Sequence, residues 1–127
     1  MKSYILTSGK YFIGDISRLI NINKKGTKFI ESIWDELYDS NEMFLKISRK
    51  NMTFYLMKTR EGDGIYNGIG TDTGVIGVVD TNKLKDTSIF NIPTNEAGYM
   101  IIEVIESIEL LYNDGGLYFS NGFVVET

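Results

Sequence analysis

One segment of the chain has the apolar spacing of a helix and no competing alternation, whereas the other apolar segments alternate or, at 99–112, fit both periods. The β-branched residues of 99–112 favour strands there. From Thr27 to Asp39 the apolar residues recur at helical intervals and form one broad stripe. The stripe consists of Phe29, Ile30, Ile33, Trp34, Leu37 and Tyr38. Thr27 is a suitable N-cap residue. The sequence therefore predicts a single amphipathic helix over residues 27–39.

About eight short strands are expected around this helix, because β-branched and aromatic residues alternate with polar ones between turn signals. We expect hairpin turns at Ser8-Gly9, between the first two strands, and at Arg49-Lys50-Asn51. Two more are expected at 113–116 and Asn121-Gly122. Residues 64–69 are predicted as one strand, 99–112 as two strands broken near Glu106-Ser107, and 87–95, around Pro93, as a surface loop.

These elements define a fold class. The 127 residues, 43% of them hydrophobic, suit one domain around a single core spanning 1–127. The prediction is an α+β, mainly β domain, in which an antiparallel sheet forms a sandwich or a partly closed barrel and the helix packs on it.

The chain contains no histidine and no cysteine, which limits its chemistry. It can have no disulfide, no thiolate nucleophile and no histidine general base, and it lacks the commonest transition-metal ligands. Any catalysis would have to use carboxylates, Lys, Tyr, Ser or Thr. We expect no catalytic residue, no metal and no cofactor, although an enzyme is left open. Because the apolar runs are short and the first residues turn polar at Thr7, we expect a cytoplasmic protein without membrane contact.

The charge pattern favours a protein partner over a nucleic acid. The net charge is −4, and no Lys or Arg occurs after Lys85. Nucleic-acid binding is not favoured, although aromatics beside the basic residues of 49–60 could stack on a single strand. Acidic residues cluster on the polar side of the predicted helix, and they are the candidate partner-binding residues: Glu31, Asp35, Glu36 and Asp39. A solvated acidic surface is the simpler interpretation of the same pattern.

A glycine-rich stretch, 62–77, lacks the lysine of a phosphate-binding loop and does not open a helix. We therefore expect its glycines to lie in turns and bulges of a β-rich fold. Aspartates fall at strand ends or turns within this stretch and on both sides of it. Converging carboxylates could bind Ca²⁺ or Mg²⁺ or work as an acid–base pair, although Asp is common in turns for structural reasons. The candidates are Asp15, Asp63, Asp72 and Asp80.

Motifs along most of the chain resemble a family of small, largely uncharacterised proteins found in phages, prophages and bacteria. The matching segments are Ser8–Asp15, Gly62–Tyr66, Gly70–Asp80, Gly116–Phe119 and Val124–Thr127. The resemblance implies a shared pocket or turn network formed by Asp15, Asp63, Tyr66 and Asp72. The family often has Pro-Cys after the first Gly-Asp, whereas this chain has Ile16-Ser17, so any function of that cysteine does not transfer.

We expect a non-enzymatic protein that binds and inhibits a host protein of the defence type. The alternative is a small-molecule or metal-dependent enzyme, or a ligand sensor, built on the Asp/Tyr set. A purely structural phage accessory protein is a third possibility. The sequence leaves the partner's identity and the oligomeric state open.

Overall fold

The computed structural model describes residues 1–21, 23–86, 89–91 and 98–127. These residues contain eleven strands, the helix α1 (Lys24–Asp39) and two short 3₁₀ helices, Ile16–Leu19 and Thr81–Asp86. The strands are β1 (Lys2–Leu6), β2 (Gly9–Gly14), β3 (Phe44–Arg49), β4 (Met52–Lys58), β5 (Gly64–Tyr66), β6 (Ile69–Thr71), β7 (Val75–Asp80), β8 (Met100–Val104), β9 (Ile108–Asn113), β10 (Gly116–Phe119) and β11 (Val124–Glu126). The surface loop predicted around Pro93 lies largely outside the described residues.

The strands form a five-stranded sheet in the order β3-β4-β7-β2-β8, a four-stranded sheet in the order β1-β9-β10-β11, and the small hairpin β5-β6. Helix α1 packs on one face of the five-stranded sheet, and the four-stranded sheet covers the other. The predicted class, α+β and mainly β, is confirmed. The prediction left a sandwich or a partly closed barrel open, and the described strands form separate antiparallel sheets without a closed barrel. The described residues form eleven strands rather than about eight, and the segment 64–69, predicted as one strand, contains two of them.

The central position of the five-stranded sheet explains why some of its strands do not alternate. Phe54 and Leu56 of β4 point to the core under α1, whereas Tyr55 and Met57 point to the core between the sheets. A strand with both faces covered is apolar along its whole length. The fold therefore has two cores, one on each side of this sheet, where the sequence predicted one.

A bent two-stranded ribbon connects the two sheets. Strands β1 and β9 pair in one sheet, and their continuations β2 and β8 pair in the other. Leu6 pairs with Ile108 and Gly9 with Val104, so β8-β9 carries one more residue through the corner than β1-β2 does. An extra residue bends and twists a strand pair. The break predicted near Glu106-Ser107 is confirmed, but the hairpin predicted at Ser8-Gly9 is wrong, because β1 and β2 do not pair with each other.

Helix α1 begins one turn earlier than its apolar stripe indicates. The side chain of Asn23, rather than Thr27, caps the helix by accepting a 2.7 Å hydrogen bond from the backbone N–H of Gly26. A Cβ on Gly26 would lie 2.1 Å from the carbonyl oxygen of Asn21, so glycine allows this close approach. No helix in the described part of the chain is long and apolar enough to cross a membrane.

Most of the predicted turns are present. Lys50 and Asn51 have φ values of 52° and 62°, and Asp114 and Gly115 have values of 47° and 80°, as two-residue hairpin turns require. Residues 64–69, predicted as one strand, instead contain such a turn. It lies at 67–68 and separates β5 from β6.

Candidate functional site

Asp15 leaves the end of β2 and lies buried beneath the loop that joins β6 to β7, with 2% of its surface exposed. Its Oδ1 accepts a 2.9 Å hydrogen bond from the backbone N–H of Ser17 and so caps the first 3₁₀ helix. Its Oδ2 accepts bonds from the Thr71 hydroxyl at 2.9 Å and the Asp72 N–H at 3.0 Å. It also accepts from the Thr73 hydroxyl at 3.0 Å.

Both oxygens of Asp15 are therefore engaged by the chain itself. A carboxylate that accepts several bonds from one loop fixes the position of that loop. The same carboxylate has little capacity left for a ligand or a metal ion. Asp15 thus supports the 71–73 loop from below and does not face a bound molecule.

Tyr66 also bonds within its own turn. Its hydroxyl donates a 2.8 Å hydrogen bond to the carbonyl oxygen of Gly62, which closes the segment leading into β5. The neighbouring Thr59 hydroxyl bonds the same carbonyl oxygen. The phenol of Tyr66 therefore helps to shape the start of the β5-β6 hairpin.

Asp63 and Asp72, by contrast, are exposed and line one groove of about 450 Å³. Thr71, which contacts Asp15, also lines it, so the Asp15 network lies directly behind the wall of the groove. The predicted set Asp15, Asp63, Tyr66 and Asp72 thus divides into two groove residues and two residues that bond the surrounding backbone.

The groove contains residues that the sequence patterns did not indicate. Arg18 and Gly98 line it together with glycines of the β5-β6 hairpin. A Cβ on Gly98 would lie 3.1 Å from Nη2 of Arg18, so glycine lets the guanidinium lie against the backbone. Gly98 is held there by accepting a 2.8 Å bond from the N–H of Gly70. Carboxylates and a guanidinium in one groove can bind both charges of a polar ligand.

The candidate partner-binding residues occupy the second half of α1. Glu31, Asp35 and Asp39 are exposed and make no ion pair within the described part of the chain. Glu36 is half-buried and pairs with Arg49 of β3. We define the acidic face as Glu31, Asp35 and Asp39; Glu36 lies beside it and is already neutralised.

The aromatic residues of β4 are not a stacking platform. Phe54 is fully buried under α1, and Tyr55 is 8% exposed. A base can stack only on a ring whose face is accessible. Exposed basic side chains instead meet at the opposite end of α1, where Lys25, Lys28 and Lys50 surround a shallow cavity.

No three acidic side chains of the described ranges come together in a way that could hold a metal ion. Comparison of the chain with protein-family models, with curated proteins and with solved structures gives no match in any of the three.

Proposed function

We propose that this chain is a non-enzymatic protein-binding domain that docks a basic surface of its partner on the acidic face of α1. The three carboxylates of that face project from one helix and form no ion pair with any described residue. Complementary charge speeds encounter and selects the partner. A domain that covers a basic surface prevents other ligands from using it, so binding of this kind inhibits.

The charge order along α1 carries the proposal. Lys24 and Lys25 occupy the first turn, and Asp39 ends the last turn, so the charges oppose the helix dipole at both ends. Each such charge costs about 0.3–1 kcal/mol relative to a favourable one. Repulsion between neighbouring carboxylates of the acidic face adds about 0.2–0.5 kcal/mol for each pair. An arrangement that weakens its own helix is understandable if a partner compensates for it.

The sequence also bears on the kind of partner. The resemblance to proteins of phages and prophages suggests a cytoplasmic target in a bacterial host. A defence protein with a basic nucleic-acid channel has the surface chemistry that three aligned carboxylates would complement.

The test compares tagged baits in a lysate of a bacterial host. The variant Glu31→Lys/Asp35→Lys/Asp39→Lys reverses the acidic face, and Glu103→Lys/Glu106→Lys/Glu109→Lys reverses three exposed acids elsewhere. Each reversal adds two charges, so both triple variants move from a net charge of −4 to +2. The matched pair separates a local surface from total charge.

The proposal predicts one stoichiometric protein that the wild type and the second variant capture, that the first variant loses, and that high salt releases. Equal capture by both variants, or equal loss, would remove the acidic face from the explanation. Melting temperatures of both variants, measured alongside, must show that the proteins are folded.

A second candidate function follows from the groove. Asp63, Asp72 and Arg18 line one concavity, which favours a ligand sensor or a metal-dependent enzyme over a surface without function. Thermal-shift and calorimetric titrations with Mg²⁺, Ca²⁺ and nucleotides test it directly. Binding that disappears in Asp63→Asn and Asp72→Asn supports this function, and the absence of any binding argues against it.

A further inference from the structure

The outer face of α1 carries a row of charges that changes sign halfway along the helix. Lys24 and Lys28 lie in its first half, Asp35 and Asp39 lie in its second half, and all four side chains are exposed. An α-helix turns by about 100° per residue, so these four residues lie within an arc of about 60°. We define them as the charged row, with a lysine half and an aspartate half.

The charged row forms no ion pair within the described part of the chain. Lys28 does not pair even with Glu31, three residues further along α1. Both halves also oppose the helix dipole, since cations are favoured at the last turn and anions at the first. Partner docking on the acidic face would account for the aspartate half, but it leaves the lysine half unexplained.

The charged row is complementary to itself when a second copy of the helix lies antiparallel to it. Lys24 and Asp39 are equally distant from the point between positions 31 and 32, and Lys28 and Asp35 are equally distant from the same point. A twofold axis through that point places each lysine opposite an aspartate of the second copy. Because a twofold interface repeats every contact, the pair gains four ion pairs over a length of roughly 22 Å.

We propose that α1 pairs antiparallel with α1 of a second copy of this chain through the charged row. Each lysine half then lies against an aspartate half, which offsets the cost of both against the helix dipole. Tyr38, 52% exposed beside the row, adds an aromatic surface that the second helix covers. One helix face makes a small interface, so the dimer is weak, with a Kd of about 0.1–1 mM.

The dimer covers Asp35 and Asp39, which also belong to the acidic face. Self-pairing therefore competes with the partner docking proposed above, although it does not depend on that docking. A partner that binds the acidic face more tightly than a second copy does displaces the second copy.

Sedimentation velocity and two-dimensional NMR of the full chain, from about 10 μM to about 1 mM at low salt, test the pairing. We expect a monomer–dimer equilibrium, with NMR shifts on the outer face of α1, that about 0.5 M salt weakens. A chain that stays monomeric at about 1 mM overturns the proposal. Growth beyond the dimer also overturns it, because a twofold pairing of one surface closes on itself.

A charge exchange between two variants tests the register of the pairing. Lys24→Glu/Lys28→Glu makes the whole row acidic, and Asp35→Lys/Asp39→Lys makes it basic. Each variant alone places like charges opposite each other and should dimerise at least about tenfold more weakly than the wild type. An equimolar mixture restores all four opposite pairs and should form a heterodimer at least as tight as the wild-type dimer. A mixture that remains monomeric overturns the register.

Two control variants separate the charged row from total charge. Each reversal changes the charge by two, so the net charge of −4 becomes −8 in the acidic variant and 0 in the basic one. Lys10→Glu/Lys83→Glu and Glu103→Lys/Glu109→Lys reach the same net charges at exposed positions outside α1. Both controls should dimerise as the wild type does. Loss of the dimer in the controls, equal to that in the row variants, overturns the role of the row.

Glu31 distinguishes self-pairing from partner docking. It lies beside the proposed axis, so the Glu31 side chains of the two copies are neighbours and repel each other. Glu31→Gln should therefore tighten the dimer about twofold, whereas it removes a carboxylate from the acidic face and should weaken capture of the partner. A weaker dimer in this variant overturns the antiparallel register. Lys24→Glu/Lys28→Glu keeps the acidic face and should still capture the partner, so the two proposals fail independently.

Discussion

The hydroxyl of Thr71 donates a 2.9 Å hydrogen bond to the carboxylate of Asp15, across 56 positions of sequence. Both side chains are buried, at 3% and 2% exposure. This contact ties the end of β2 to the loop that forms the wall of the Asp63–Asp72 groove. Within the described part of the chain, this carboxylate is buried without a cationic partner because several neutral donors of one loop satisfy it.

Replacing Asp15 with alanine is expected to lower the free energy of unfolding by about 3 kcal/mol, because buried donors at 71–73 lose their acceptor. Urea unfolding followed by circular dichroism measures the change. Asp63→Ala, at an exposed carboxylate of the neighbouring groove, is the control and should change it by less than about 0.5 kcal/mol.

The hydrogen bond between Asp15 and Thr71 should make the effects of their substitutions on the free energy of unfolding interdependent. In a double-mutant cycle, Asp15→Ala and Thr71→Val should show an interaction energy of about 0.5–3 kcal/mol. Strict additivity of the two effects would mean that the loop is held by other contacts.

Gly77 lies in β7 of the five-stranded sheet, where there is no room for a side chain. A Cβ at this position would lie 2.4 Å from Cγ2 of Ile16 and 3.0 Å from Cδ2 of Leu56, both fully buried. Gly77→Ala is therefore expected to lower the free energy of unfolding by about 1–3 kcal/mol. Gly70→Ala is the control, because there the nearest atoms lie at ordinary contact distance, 3.7 Å. A Gly77→Ala protein as stable as Gly70→Ala would contradict this account of the glycine.

Local sequence patterns were sufficient to predict the helix, the strand-rich fold class and most of the hairpin turns. The stripe from Phe29 to Tyr38 is a helical period, and Asp114-Gly115 favours the positive φ values that a tight hairpin needs. These features depend on neighbouring residues alone. The site residues Asp63 and Asp72 could be nominated for the same reason, since both lie in turns of one glycine-rich stretch.

The features that the sequence could not predict depend on contacts between segments that are far apart in the chain. Ser8-Gly9 has the composition of a hairpin turn, but β1 and β2 each pair with a strand near the other end of the chain. Gly77 resembles a turn glycine until Ile16 is placed against it. A pocket of about 160 Å³ is lined by residues from 5–11, 51–55 and 80–83, and no pattern within any of these segments indicates that the others are near.

The charges of α1 lead to a prediction about stability. Asp39 ends the helix, where the dipole favours a cation, so Asp39→Lys is expected to raise the free energy of unfolding by about 0.5–1 kcal/mol at low salt. The gain should shrink as salt is added. Glu103→Lys, on strand β8, is the control for the change in net charge. A loss of stability in Asp39→Lys would contradict the claim that the helix carries its charges at a cost, and with it the main support for the acidic face as a docking surface.

The pKa of Tyr55 is raised above its ordinary value of 10.0, by burial first and by the neighbouring Tyr11 and Tyr4 in addition. An unfolded chain loses this phenolic proton near pH 10, whereas the folded chain holds it to higher pH. The stabilising contribution is therefore fully present below pH 10 and is lost as the pH rises through the folded-state pKa. Urea unfolding at steps from about pH 8 to about pH 11.5 should show a shallower decline for Tyr55→Phe than for the wild type. Tyr112→Phe controls for the removal of a phenol from the same core. Wild-type and Tyr55→Phe curves that fall in parallel above pH 10 would show that Tyr55 ionises as freely in the folded chain as in the unfolded one.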